Sequence, residues 1–358
     1  MKRFLLCLGL CLLACAAPIP SQEAAAGPES TPAPAASKDS AAPRPDDPSP
    51  GAGELPESSL WVVSEVRFPN HFSSIFYAFF SGDPIQYRLL VHNLSEEPME
   101  MPEGFDLLSS LSITREKDEQ VKVRTEGRSL KSTLPDKLGP GQIIGGFFNL
   151  TEIVPDIKKE GLYTIQWELG DWKSNPVRVR VIPRFKPEVD YEATLETEEG
   201  NIRMKLLAKE APLHVMNFVN LARLGFYNGQ IFHTSSRDRS IRAGSPTKDG
   251  LGNIGYLLPA EFSSQRHVEG TVSMYRDQRR PGTDSDGSQF FICLTELPNR
   301  DGRFTIFGQI KEGLAVAKKI GAREPSADPS LPPGTPLEPA KIHRIRIREI
   351  PRTAESEG

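Results

Sequence analysis

G-F-Y-N-G-Q-I-F-H-T-S-S-R-D-R-S-I-R-A-G, residues 225–244, is the stretch on which the reading of this chain turns. Gly225 suits the end of a helix, because glycine enters the left-handed conformation without a steric penalty. The pair Asn228–Gly229 then reverses the chain into a strand expected to end at Phe232 and His233. Arg237, Arg239 and Arg242 follow, before small residues and a Gly-Ser-Pro turn. Guanidiniums this close together either bind something acidic or form a solvated surface, and spacing alone leaves both open.

Upstream lies a helix. Pro212 suits its first turn, and Val215, Phe218, Val219 and Ala222 form an apolar stripe at helical spacing. Before it, YEATLETEEGNIRMKLL reads as a hairpin, with Glu198 and Glu199 in a turn that suits solvent. Downstream, short apolar runs between Gly- and Ser-rich stretches continue to about Ile320, and IHRIRIREI supplies a last strand after a Pro-rich loop.

Six motifs in series, GNIRMKLL, APLHVMNFVNLA, GFYNGQIFH, HVEGTVSM, GSQFFI and FGQIKEGL, resemble the cyclophilin domain over residues 188–350. The resemblance implies an eight-stranded antiparallel β-barrel capped by two helices and a groove for Xaa-Pro peptides. It further implies prolyl cis/trans isomerisation. An apolar pocket would grip the proline ring while a guanidinium donates to the prolyl nitrogen and draws its lone pair out of amide resonance. No metal or other cofactor is needed for that chemistry.

Aligned without gaps, this sequence departs from the family at the groove. Thr234 stands at the catalytic arginine position, Arg239 at an aromatic, Ser240 at a methionine and Arg242 at a glutamine. Tyr275 and Arg276 replace a small residue and an asparagine, Asn299 an aromatic, Arg300 a leucine and Phe304 a histidine. Gln289, Phe291 and the framework residues Phe232, Gly244, Phe290, Phe307 and Gly308 are retained. Of the groove set, Phe232, Gln289 and Phe291 therefore keep the family's residue types. If the fold holds, Arg237, Arg239, Arg242, Arg276, Arg279, Arg280, Arg300 and Arg303 cluster around one groove. That implies an acidic partner, a proline-containing polypeptide, or both. Three readings follow: an isomerase of reduced activity, a non-catalytic binding module, or a structural spacer.

The rest of the chain sets the context. With 358 residues, 38% apolar and 25% charged, it has the composition of a soluble multi-domain protein. A net charge of -4 names no partner in bulk. Lys2 and Arg3 precede an apolar run from Phe4 to Leu13, then Ala14 and Cys15, a secretory signal too short to span a bilayer comfortably. It resembles the lipobox of bacterial lipoproteins, which implies cleavage before Cys15, lipidation of its thiol and attachment to a membrane of the bacterial envelope. The alternative is an ordinary signal cut after Ala14 or Ala17. Either way the chain is sent away from nucleic acid. Cys293 is then the single thiol left, and its place after FFI reads as buried.

Residues 16–57, nearly all Ala, Pro, Ser, Gly, Asp and Glu, read as a disordered tether. Residues 58–184 alternate apolar and polar at period two, through Ile85, Tyr87, Leu89 and Val91, then Tyr163, Ile165, Trp167 and Leu169, then Val177, Val179 and Val181. That pattern predicts an Ig-like antiparallel β-sandwich of unknown role. Two sequons, at Asn93 and Asn149, imply surface loops. The fold class is mainly β throughout, with PRFKPEVD, 183–190, as linker and 351–358 as tail. DSDG, 284–287, reads as a turn, since it lacks the glutamate that completes an EF-hand loop.

Overall fold

In the computed structural model of this protein, residues 60–67, 78–103, 105–108, 110–116, 119–124 and 135–352 are described. The signal segment, Cys15, the Pro-rich tether and residues 353–358 lie outside the described residues.

The first region is a two-sheet sandwich. Strands β1 (Leu60–Arg67), β2 (Gln86–Asn93) and β4 (Ile143–Asn149) form one sheet in the order β1-β2-β4. Strands β3 (Leu111–Arg115), β5 (Gly161–Leu169) and β6 (Val177–Ile182) carry the other, with β5 between its neighbours. The period-two alternation delivers Tyr87, Leu89 and Val91 from one sheet, and Ile113, Tyr163, Ile165, Trp167 and Val179 from the other, into one buried core. Two expectations are corrected. The sandwich is not wholly antiparallel, because Ala78–Phe80 pairs parallel to β6 at its edge. Asn93 is not on a surface loop: its amide is fully buried and donates to the carbonyls of Glu97 and Leu138, at 2.8 and 2.9 Å, closing the turn that follows.

The segment 183–190 is clamped rather than free. Phe185 stacks on Tyr191 with centroids 4.8 Å apart, and the Tyr191 hydroxyl accepts from the Lys186 N–H at 2.8 Å. Arg223 donates to the Pro183 carbonyl at 3.2 Å and to Glu349 at 2.7 Å, while Arg184 pairs with Asp83 on the sandwich side.

The second region is the barrel. Its strands are β7 (Val189–Thr197), β8 (Gly200–Leu206), β9 (Thr234–Ser236), β10 (Ser240–Ala243), β11 (Thr271–Met274), β12 (Phe290–Cys293), β13 (Ile306–Glu312) and β14 (Ile342–Pro351). They hydrogen-bond in the order β9-β10-β12-β11-β13-β8-β7-β14, every pair antiparallel. The two ends meet where Ile231 bridges Lys341, with Gly229 and Phe232 N–H donating to Ile342 and Ala340 carbonyls at 2.8 Å. This closure corrects the expected strand ending at Phe232 and His233: those residues serve the seam, and the ladder strand begins at Thr234.

Two helices cover the barrel, α1 (Pro212–Arg223) and α2 (Leu314–Gly321). Pro212 opens α1 as expected, and the Glu261 carboxylate accepts from the Leu213 and His214 N–H groups at 3.0 Å, doing what the apolar N-cap Ala211 cannot. The stripe Val215, Phe218, Val219 and Ala222 is buried, and Phe218 meets Phe290 and Phe307 at 5.6 and 5.1 Å between centroids. Glu198 and Glu199 are not left to solvent: Arg323, just beyond α2, reaches them at 2.6 and 2.5 Å.

Candidate functional site

The GSQFFI stretch splits its side chains between two sides of one sheet. On β12, Phe290 and Ile292 enter the barrel core, whereas Phe291 and Cys293 face outward into a second cluster with Leu297 and Phe304, against which Tyr275 packs. Register then sets the neighbours. Thr234 lies opposite Arg242, Arg242 opposite Phe291, and Phe291 opposite Ser273, so four strands place these side chains in one row on the outer face.

Phe291 and Phe304 meet at right angles with centroids 5.5 Å apart. Behind them His267 stacks on Phe291 at 5.9 Å, held by Asp301 Oδ1 at 2.9 Å from its Nδ1. Its Nε2 lies 3.2 Å from Ser273 Oγ, which itself donates to the Thr305 carbonyl at 2.8 Å. Burial pushes His267 below the usual histidine range, and the backbone N–H of His267 holds Asp301 below the usual carboxylate range. Ser, His and Asp thus stand in a line, but the serine and histidine are fully buried and the hydroxyl is committed, so the line is a rigid backing for the Phe291 ring.

Three guanidiniums lie on this aromatic cluster. Arg300, at the end of the short helical turn Pro298–Arg300, places its guanidinium carbon 4.2 Å from the Phe291 centroid and 5.4 Å from that of Phe304. Arg276 lies 5.8 Å from the Phe304 centroid. Arg242 lies 4.0 Å from that of Tyr275 and donates through Nη2 to Thr234 Oγ1 at 3.2 Å. The Nε–H groups of Arg242 and Arg276 are buried without an acceptor among the described residues. Burial, then the positive charges of Arg239 and Arg242, hold Arg300 below the ordinary arginine value. No ion pair joins Arg239, Arg242, Arg276 or Arg300 to a carboxylate among the described residues, in contrast to the paired arginines elsewhere on the barrel.

The expected groove residues therefore divide. Thr234, Arg242, Tyr275, Arg276, Phe291, Arg300 and Phe304 come together. Ser240 sits beside them opposite Cys293, and Arg239 and Asn299 are exposed. Gln289 is buried, and its amide donates to the Gly252 carbonyl at 2.8 Å, tying the site to the loop after β10. Phe232 is a correction: it is fully buried in the barrel core, held at the seam by its N–H bond to the Ala340 carbonyl. The ring of eight arginines is corrected too. Arg237 donates to the Ala322 carbonyl beyond α2, and Arg279 and Arg280 are engaged by Asp277 and Asp286. Arg303 is exposed and lies on none of the cluster's aromatic rings among the described residues. Sequence reading missed Leu297 and the His267–Asp301 backing, although the alternation of FFIC, in–out–in–out, carries a signal for the outward cluster. Cys293 is buried as expected, its thiol pushed up to about 12 by burial.

Residues 193–347 match the family described as cyclophilin type peptidyl-prolyl cis-trans isomerase/CLD. Over 132 residues the chain is 42% identical to a peptidyl-prolyl cis-trans isomerase of Helicobacter pylori (strain ATCC 700392 / 26695), covering 36% of this chain and 78% of that one. A peptidyl-prolyl cis-trans isomerase of Synechococcus elongatus is 40% identical over 131 residues, 36% of this chain and 88% of its own. One of Schizosaccharomyces pombe is 38% identical over 152 residues, 41% and 93%. A mainly β chain with an outward aromatic cluster on an eight-stranded barrel is the class the fold defines. The chain belongs to the cyclophilin-type peptidyl-prolyl cis-trans isomerase family, its family domain spanning residues 193–347.

Proposed function

We propose that this protein is an exported, membrane-tethered cyclophilin that binds Xaa-Pro or acidic peptide segments beside Phe291 and Phe304 and isomerises the prolyl bond only weakly. One observation carries the reading. Position 234 holds threonine, yet a guanidinium still reaches it: Arg242 Nη2 lies 3.2 Å from Thr234 Oγ1. Prolyl rotation is slow because the nitrogen lone pair is delocalised into the carbonyl. A guanidinium N–H directed at that nitrogen localises the lone pair, and the free Nε–H of Arg242 is such a donor. Arriving from the neighbouring strand, it is displaced from the family position, and a misplacement near 1 Å costs about a hundredfold.

A protease-coupled assay on a proline tetrapeptide tests this. A rate about a hundredfold below that of an ordinary cyclophilin is expected, falling to background in Arg242→Gln. A rate equal to that of an ordinary cyclophilin sinks the reading. Binding without turnover is the second reading, favoured by the Arg300 guanidinium lying on the Phe291 face; a wild-type rate at background with peptide binding intact selects it.

Export and tethering rest on Lys2, Arg3, the apolar run to Leu13 and the Ala14–Cys15 junction. A lipidated Cys15 at the mature terminus is the mass-spectrometric result expected, and an unmodified terminus after Ala14 or Ala17 overturns it.

A further inference from the structure

We infer that Arg300 closes the proline site of the resting chain, and that an acidic side chain next to the ligand's proline opens it. This deepens the peptide-binding reading above and rests on it.

The aromatic floor is present but covered. Phe291 is 1% exposed and Phe304 7%, so no ring face is free for a proline. With His267 stacked behind Phe291 and Tyr275 and Arg276 at the cluster's edge, the guanidinium lying on both rings is that of Arg300, 4.2 Å over the first and 5.4 Å from the second. Among the described residues, no carboxylate or carbonyl anchors that guanidinium. The neighbouring Asp301 is committed, one oxygen to His267 at 2.9 Å and the other 3.7 Å from Arg266. Arg300 makes no ion pair among the described residues, while Arg239 and Arg242 place like charge around it.

These facts give the site an asymmetric response. A neutral Xaa-Pro segment must displace a cation from the rings and offers it nothing in return. A segment with Asp or Glu beside its proline supplies a carboxylate whose two oxygens match the guanidinium fork. That pairing is stronger than a contact with a ring face, so Arg300 leaves Phe291 as the proline arrives. The Nε–H group of Arg276, buried without an acceptor among the described residues, is a further donor to the same carboxylate. Lifting requires only side-chain rotation, because the backbone of Arg300 is fixed by its N–H bond to the Leu297 carbonyl at 2.9 Å. Arg300 is thereby a specificity-determining residue: it selects prolines flanked by acid.

The test uses the full chain and three peptides of one length: Glu-Pro, Gln-Pro, and Glu-Ala in place of Glu-Pro. Wild-type protein is expected to bind Glu-Pro about tenfold tighter than Gln-Pro at low salt, with the gap narrowing at high salt. Arg300→Leu is expected to bind Gln-Pro tighter than wild type does and to lose the preference. Equal binding of Glu-Pro and Gln-Pro by wild type overturns the proposal. Glu-Ala binding as tightly as Glu-Pro also overturns it, leaving a plain anion site. Absence of binding by all three overturns the peptide-binding reading and this inference together. A measurement independent of any variant is the NMR shift of the Arg300 Cδ protons. Shielded by Phe291 in the free chain, they should move toward the ordinary arginine position with Glu-Pro. Shifts already ordinary in the free chain overturn the closed site.

Discussion

Arg242 stands directly between Thr234 and Phe291 in one cross-strand row, within 3.2 Å of the threonine hydroxyl and opposite the aromatic floor of the site. A guanidinium from the neighbouring strand thus already reaches position 234. A single-site repair at position 234 does not add a guanidinium to an empty place; it adds a second cation where one already reaches. Thr234→Arg alone is therefore expected to leave isomerase activity well below that of an ordinary cyclophilin. Thr234→Arg with Arg242→Gln should exceed either single variant, because the charge conflict is removed and the family's order restored. The protease-coupled assay decides, and full recovery from Thr234→Arg alone contradicts the placement of Arg242.

How much of this was legible beforehand depends on distance along the chain. Local periodicity was readable: Tyr87, Leu89 and Val91 point one way, as do Val215, Phe218, Val219 and Ala222, because burial follows periods of 2 and 3.6. The departures at Thr234, Arg242 and Arg300 were readable as residue types. Their contacts were not. Whether Arg242 reaches Thr234 depends on a three-residue turn between β9 and β10, and whether Arg300 covers Phe291 depends on the turn Pro298–Arg300. The pairings Arg279–Asp277 and Arg280–Asp286 likewise come from a loop that folds back on itself, so counting arginines overstated the free charge.

The clamp on residues 183–190 predicts resistance to proteolysis. Arg223 holds the Pro183 carbonyl at 3.2 Å and Glu349 at 2.7 Å, and lies over the Tyr191 ring at 5.8 Å. Arg223→Ala removes all three contacts and should destabilise the barrel by about 1.5–3 kcal/mol, the range for hydrogen bonds to charged groups. Limited trypsin digestion should then cut after Arg184 in the variant and spare the wild type. Equal cutting of both shows that the clamp does not hold the segment.

Gly244 tests the fold beneath the site. Its φ is +92°, and an added Cβ would sit 2.2 Å from the Ser288 carbonyl oxygen, backbone that cannot step aside. Gly244→Ala should therefore separate β10 from the start of β12 and cost about 3 kcal/mol or more. Barrel peptides should lose amide-exchange protection while those of the sandwich keep theirs. Unchanged protection on β10 and β12 would falsify the close approach.

The barrel should also weaken in mild acid, through its histidines. His233 is 2% exposed, with Nδ1 3.1 Å from Thr234 Oγ1 and no acceptor for Nε2 among the described residues. Burial first, then the Arg242 charge, pushes it down to about 3. In the unfolded chain a histidine titrates near 6.5. Between those values the unfolded state holds a proton that the folded state refuses, so stability present above about pH 6.5 is lost as pH falls toward 3, at about 1.4 kcal/mol per pH unit from this group. Burial depresses His214 and His267 as well, so they act in the same direction over the upper part of that window. The depressed carboxylates Asp301 and Glu199 join only below the usual carboxylate range. All three tryptophans, Trp61, Trp167 and Trp172, precede the barrel, so their fluorescence cannot follow its unfolding. Hydrogen exchange on barrel peptides, corrected for intrinsic rates, should instead show protection falling steadily from pH 6.5 to 4.5. His233→Asn should begin less stable, from the space it leaves, and show a shallower slope because one of the three groups is gone. An unaltered slope would assign the acid sensitivity to His214 and His267 alone and remove His233 from it.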